Sequence, residues 1–303
     1  MKLTEALINQ DQAHDLAKWG YYLPLIDPFQ PETHTELLAG LDAGAHQEAL
    51  ARWQSWNLRW LDRIKQRISA RSINVDGVNG EAGDELFTEP RCGEPDILPA
   101  TVPAQSNWPT ECRNNITISY HQSLRAGHGG MSASQVNEAI EVAHANIQSV
   151  IEMKWVRDDN AYPNTRVFVF GVNLGGSVLA DQYLATNNCG YRSQGRRGTN
   201  RNLNGPYFSA IEGHELLHAL GLEHLNGRNP DGTLPLMSPY IHDLSISTSG
   251  KLTKIDIDLA VRRGYKLRTV DPDDPIDPPS PNNEINGTFT VDGKRHFFKG
   301  VVV

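Results

Sequence analysis

At 303 residues the chain is long enough for two modest domains, or for one domain with appendages, and its 39% hydrophobic and 21% charged residues suit a globular protein with polar, irregular segments. No apolar run reaches the length needed to cross a bilayer. The formal net charge is −8, but Asp271, Asp273, Asp274, Asp277 and Glu284 place five negative charges in a tail segment without Lys or Arg, so the remainder carries −3 and offers no electrostatic case for nucleic acid or anionic membrane. Residues 1–20 lack the apolar stretch of a secretory signal. Three cysteines, at positions 92, 112 and 189, leave at least one thiol without an intramolecular partner.

The apolar spacing predicts a helix over residues 4–23 and a second over 47–68, where Leu50, Trp53, Trp56, Leu61, Ile64 and Ile68 recur at helical intervals. Residues 73–80 read as a short strand-like piece broken by a turn, and 81–87 as a third, short helix. Next comes Pro90-Arg91-Cys92-Gly93-Glu94-Pro95-Asp96. A thiolate is a soft metal ligand, Gly93 allows close backbone approach, and the flanking prolines stiffen an extended stretch. Residues 96–109, rich in Pro, Thr and Ala, read as an exposed connector open to proteolytic cutting.

Alternation over residues 115–120 marks a first strand. A long helix is predicted over 131–155, with Val136, Ala139, Ile140, Ala143, Ile147, Val150 and Ile151 on one face and Ser132 or Ser134 as N-cap. Strands follow over 165–171 and 177–184. Residues 189–201 hold four arginines and read as a solvated Gly/Arg loop.

The most informative stretch is His214-Glu-Leu-Leu-His-Ala-Leu-Gly-Leu-Glu-His224. On a helix His214 and His218 project from one face, one turn apart, and supply two corners of a zinc tetrahedron. Gly221 permits the left-handed turn that ends the helix and returns His224 as a third ligand, while Glu215 sits where a carboxylate reaches water at the open fourth position. The other histidines lack ligand spacing. Thirteen residues on, Met237 lies in Leu-Pro-Leu-Met-Ser-Pro-Tyr, and residues 252–265 form a capped terminal helix. Residues 271–284 are an Asp/Pro-rich linker, and 285–303 a β-hairpin-like segment around Asp292-Gly293.

The histidine motif, the methionine turn and the cysteine segment together resemble the matrixins, the matrix metalloproteinase branch of the metzincin zinc endopeptidases. The resemblance implies an α+β fold, a twisted mixed sheet with three helices, as catalytic domain over 98–270. A small helical propeptide over 1–97, similar to peptidoglycan-binding domains, precedes it. By the same resemblance Cys92 binds the single catalytic zinc in the latent form, Arg91 pairs with Asp96, and Gly93 supports the switch. Glu215 is the general base, Asp256 steadies the Met237 turn, and Val178, Leu179 and Ala180 form the edge strand for protein or peptide substrates. An activating protease becomes a partner, and an extracellular setting is expected although no signal is visible.

The chain departs from the family where a second, structural zinc would bind, since the loop after residue 171 is short and Asp181 stands at a histidine position. Calcium sites cannot be carried over, and Tyr240 follows Pro239 directly, altering the wall beside the site. Cys112 and Cys189 either pair in an oxidising compartment or remain two buried thiols. The expectation is a latent zinc endopeptidase; the alternatives are a wall-associated protein that binds peptidoglycan and cuts its peptides, and a silent binding protein.

Overall fold

The computed structural model describes residues 9–68, 75–99, 107–175, 177–185, 188–199, 205–240, 250–269, 284–291 and 294–301. Residues 271–283 of the linker, the turn at 292–293 and half of the proposed connector (100–106) lie outside them.

Five helices open the chain: α1 Gln10–Lys18, α2 Pro31–Gly40, α3 Ala43–Trp56, α4 Leu58–Ile68 and α5 Glu81–Thr88. A reciprocal pair of bonds between Asn9 and Gln12 caps α1, and the Asp42 side chain caps α3. The expected helix over 47–68 is two helices. The Asn57 amide donates to the Trp53 carbonyl at 3.0 Å and to the Tyr21 hydroxyl at 3.1 Å, which ends α3 and redirects the chain. Stacked rings fill the space between these helices, with Trp53 and Phe87 centroids 4.3 Å apart and Trp19 and Phe87 5.7 Å apart.

Strand β1 (Arg91–Cys92) leaves this helical unit and joins the sheet of the following section. That section runs α6 Thr110–Arg113, β2 Ile116–Tyr120, α7 Gln122–Arg125, β3 Gly127–His128, β4 Met131–Ser132, α8 Ala133–Gln148 and β5 Trp155–Arg157. It continues with β6 Val167–Val172, β7 Val178–Gln182, β8 Ser193–Gly198, α9 Gly205–Ala219 and α10 Lys254–Arg262. Ser132 caps α8, but the helix stops at Gln148, whose side-chain oxygen accepts from the Trp155 backbone N–H at 2.8 Å. Val150, Ile151 and Trp155 therefore lie beyond it. A separate hairpin pairs β9 (Glu284–Val291) with β10 (Lys294–Val301) in antiparallel register, so pairing begins at Glu284.

The main sheet has the order β1-β7-β8-β6-β2-β5 and is parallel except where β7 meets β8. This is a mixed α/β architecture compatible with the α+β expectation. The core is continuous from the N-terminal helices into the sheet and α9. Cys112 and Cys189 form a disulfide that closes 77 residues, leaving Cys92 as the buried free thiol. No helix among the described residues is long and apolar enough to cross a membrane.

The Gly/Arg loop expected over 189–201 is largely strand β8. Two of its four arginines, Arg196 and Arg197, are held by acidic partners 15 residues away in sequence. Arg196 grips Asp181 with bonds of 2.9 and 2.5 Å, and the fully buried Arg197 pairs with the fully buried Glu212 of α9 at 2.7 Å. The Tyr120 hydroxyl donates to Glu212 at 2.8 Å and lies 2.9 Å from His144 Nε2, so one carboxylate ties β2, α8, β8 and α9 together. Arg197→Met should lower stability by about 3–5 kcal/mol, because it leaves Glu212 buried without its cation. Adding Glu212→Leu should recover most of that loss in a denaturant titration; losses that simply add would refute the coupling.

Candidate metal centre

Helix α9 is buried on every side from Phe208 to Ala219. Its last turn closes through Gly221 N–H to the His218 carbonyl at 2.7 Å and Leu222 N–H to the Leu217 carbonyl at 3.0 Å, with Gly221 at φ +87°. That left-handed residue swings the chain back and brings His224 beside His214 and His218, as the motif predicts.

His218 Nε2 lies 3.1 Å from His214 Nε2, 3.2 Å from His224 Nε2 and 3.5 Å from the Cys92 sulfur. These four donors lie within 4.8 Å of one another and all four residues are buried. Tetrahedral zinc with ordinary bond lengths implies edges of about 3.3 Å between nitrogens and about 3.6 Å between nitrogen and sulfur. The donor set fits.

The other ring nitrogens decide the tautomers. His214 Nδ1 donates to the Leu236 carbonyl at 2.6 Å, His218 Nδ1 to the Leu222 carbonyl at 2.7 Å, and His224 Nδ1 to Asp96 Oδ1 at 2.9 Å. Oxygens of these kinds only accept, so Nδ1 carries each proton and the three Nε2 lone pairs face one another. Burial pushes all three imidazoles below their usual pKa, well below it for His214 and His218, so protonation does not relieve that repulsion. A cation between them does. The structure therefore assigns a buried Cys/His cluster able to hold a metal ion.

Glu215 is buried beside the cluster, with the Cys92 thiol as its near neighbour. Burial pushes its pKa up to about 8, with Arg197 pulling the other way. Met237 is also buried. Its turn hangs from Asp256, whose oxygens accept from the Leu236 N–H at 2.8 Å and the Met237 N–H at 2.9 Å. Leu236 in turn orients His214, so Asp256 reaches the cluster through one peptide. Burial raises the Asp256 pKa against these bonds.

The cysteine segment lies across the cluster as β1. It runs parallel to β7, with Arg91 opposite Val178 and Cys92 opposite Ala180, so the edge formed by Val178, Leu179 and Ala180 is covered by the chain itself. Backbone N–H groups of Arg91, Cys92 and Gly93 donate to Ser177, Pro239 and Ala180 at 3.0, 2.9 and 2.7 Å. A Cβ on Gly93 would lie 3.0 Å from Val178 Cγ1, so glycine sets the depth of the thiol. Arg91 bonds Asp96 at 2.7 Å with both side chains fully buried, and its guanidinium lies 3.9 Å over the Trp19 ring and 5.0 Å from that of Tyr240. Burial would raise the Asp96 pKa, but Arg91 and His224 hold it down at about 2. Burial, then Glu215 and Glu94, push the Cys92 thiol well above its ordinary range.

Asp181, placed at a histidine position by the resemblance, is instead the buried partner of Arg196. Among the described residues the Cys92, His214, His218 and His224 group is the metal-type cluster found. Sequence reasoning missed the supports that come from the helical unit. Tyr21 donates to Asp96 Oδ2 at 2.7 Å, Trp60 packs 5.2 Å from Tyr240, and Arg59 donates to the carbonyls of Gly227 and Leu225 in the segment after His224. No local spacing marks these residues, since each acts across a fold contact.

No protein-family profile matches this chain, and no curated protein matches it. The geometry leads to a measurable stoichiometry. With Asp181 committed to Arg196, the purified chain should retain one equivalent of metal by elemental analysis after gel filtration; two equivalents would require a second centre.

Proposed function

We propose that this chain is a latent zinc-dependent endopeptidase of the matrixin type, with a metzincin catalytic domain closed by its own N-terminal propeptide. The observation that carries the reading is the buried convergence of three imidazoles and one thiol beside the buried Glu215 carboxylate. His214, His218 and His224 hold the metal, and Cys92 occupies the remaining corner until the propeptide leaves. When bound, zinc polarises the scissile carbonyl and makes water a competent nucleophile near neutral pH.

The chain's own groups do the rest. Glu215 takes the proton of the attacking water on a carboxylate oxygen and passes it to the leaving amine nitrogen. The Asp256-supported turn and the Nδ1 bonds of His214 and His218 keep those two imidazole rings from rotating. Once β1 is withdrawn, the N–H and C=O groups on the β7 edge pair with an extended peptide and set its direction. Activation thus requires a cut after the cysteine segment, in the connector between Asp96 and Pro109, and the natural substrates are proteins or peptides presented outside the cell.

Two variants test the reading. Glu215→Ala should keep the metal and lose peptidase activity by about 10²–10⁴-fold, read by cleavage of a peptide library after activation at matched metal content. Normal turnover would refute the assignment. Cys92→Ser should process itself or cleave substrate without added protease, because the soft ligand is gone and the lid is held by weaker contacts. If it stays as silent as wild type with its metal site loaded, the cysteine segment is not a switch.

A further inference from the structure

We infer that Asp96 is a positioning residue for the third histidine of the metal centre, so that the propeptide supplies support for the metal as well as a blocking thiol. The inference rests on the reading of the cluster as a metal site. An imidazole presents one nitrogen to a metal, and its orientation and basicity are set by the bond made at the other. His214 and His218 take that bond from the Leu236 and Leu222 carbonyls, which belong to the same section as the histidines. His224 differs. Its Nδ1 bond goes to Asp96, 128 residues upstream and on the far side of the connector.

The carboxylate is held as rigidly as a ligand support needs to be. Oδ1 accepts from His224 Nδ1 at 2.9 Å and from Arg91 at 2.7 Å, and Oδ2 accepts from Tyr21 at 2.7 Å. Tyr21 is fixed in turn by Asn57 at 3.1 Å. The Asp96 and Ile97 N–H groups both donate to the Trp19 carbonyl, at 3.1 and 3.2 Å, and Gly20 at φ +86° allows that approach, since a Cβ there would lie 2.1 Å from the Ile97 oxygen. Arg91, Tyr21, Asn57 and Trp19 therefore fix, directly or through a neighbour, the one carboxylate that meets this ring of the metal centre.

A carboxylate on Nδ1–H makes Nε2 a stronger donor than a carbonyl does, and losing such a partner typically costs 10–100-fold in metal affinity. Lid and metal then reinforce each other by reciprocal coupling. Departure of the propeptide removes Cys92 and Asp96 together, and His224 loses the charged hydrogen-bond partner it has among the described residues. The propeptide is in this sense part of the metal-loading apparatus.

The test uses the full-length chain and zinc or cobalt(II), with affinity read by competition against a chromophoric chelator. Cys92→Ala removes the thiol and so isolates the histidines. In that background Asp96→Ala should weaken metal binding by about 10–100-fold, and Asp96→Asn, which keeps an accepting oxygen, by less. In zinc-loaded Cys92→Ala protein, the Nδ1–H proton of His224 should appear as a protected downfield resonance and vanish in Cys92→Ala/Asp96→Ala, while those of His214 and His218 persist. Equal metal affinity of Cys92→Ala and Cys92→Ala/Asp96→Ala would overturn the inference and show that Asp96 serves the lid alone. If wild type takes up no metal, the metal reading itself fails and the inference falls with it. Should Asp96→Ala fail to fold, the Asn variant and the proton resonance decide: unchanged affinity and an unprotected His224 proton count against the role.

Discussion

Three imidazole nitrogens with bare lone pairs face one another about a hydrogen-bond length apart in a space closed to water, and most of the surrounding structure serves to hold them so. Like dipoles at that distance repel, and burial removes both water and protonation as ways out. Each ring is therefore fixed from behind by an oxygen at Nδ1. Those oxygens need support in turn. Leu236 is held through Asp256, Leu222 through the left-handed Gly221, and Asp96 through Arg91 and Tyr21. The centre is built from the outside inward, and each layer explains a residue that has no other evident use.

Much of the centre was legible because its chemistry is local. His214, Glu215, His218, Gly221 and His224 lie within eleven residues, and helical spacing plus one left-handed turn suffices to bring the rings together. The cysteine segment was legible for a similar reason, since Cys92, Gly93 and two prolines carry their meaning in seven positions. The pairing of Cys112 with Cys189 rested on compartment alone and is settled by their meeting across the fold.

The failures share a cause. Helix α2 was missed because its apolar residues make no stripe: Leu38 is buried, while its neighbour Leu37 stays exposed. The 47–68 helix was read as continuous because nothing in the spacing shows that the Asn57 amide bonds both the Trp53 carbonyl and Tyr21, the latter 36 residues away. Arg196 and Arg197 looked solvated because charge is exposed by default. Their partners, Asp181 and Glu212, lie 15 residues to either side and become neighbours only when β7, β8 and α9 assemble. Local periodicity reports elements, and long-range ion pairs override it.

One consequence of the topology bears on how firmly the segment is seated. Strand β1 is two residues long, and with Gly93 it donates three backbone bonds, each worth about 0.5–1.5 kcal/mol net, which together hold little against water or a competing peptide. The larger share of the contact lies behind it, where Trp19, Arg91, Trp60 and Tyr240 join the helical unit to the segment after the histidines within one continuous core. Covering the β7 edge also removes an exposed row of pairing groups, which a sheet otherwise has to protect. Under the proposed reading, a cut in the connector ends the benefit of tethering, since return of the thiol then depends on concentration. The buried aromatic and guanidinium contacts survive the cut. Under the same reading, the rate of opening is governed by how fast the helical unit leaves that shared core.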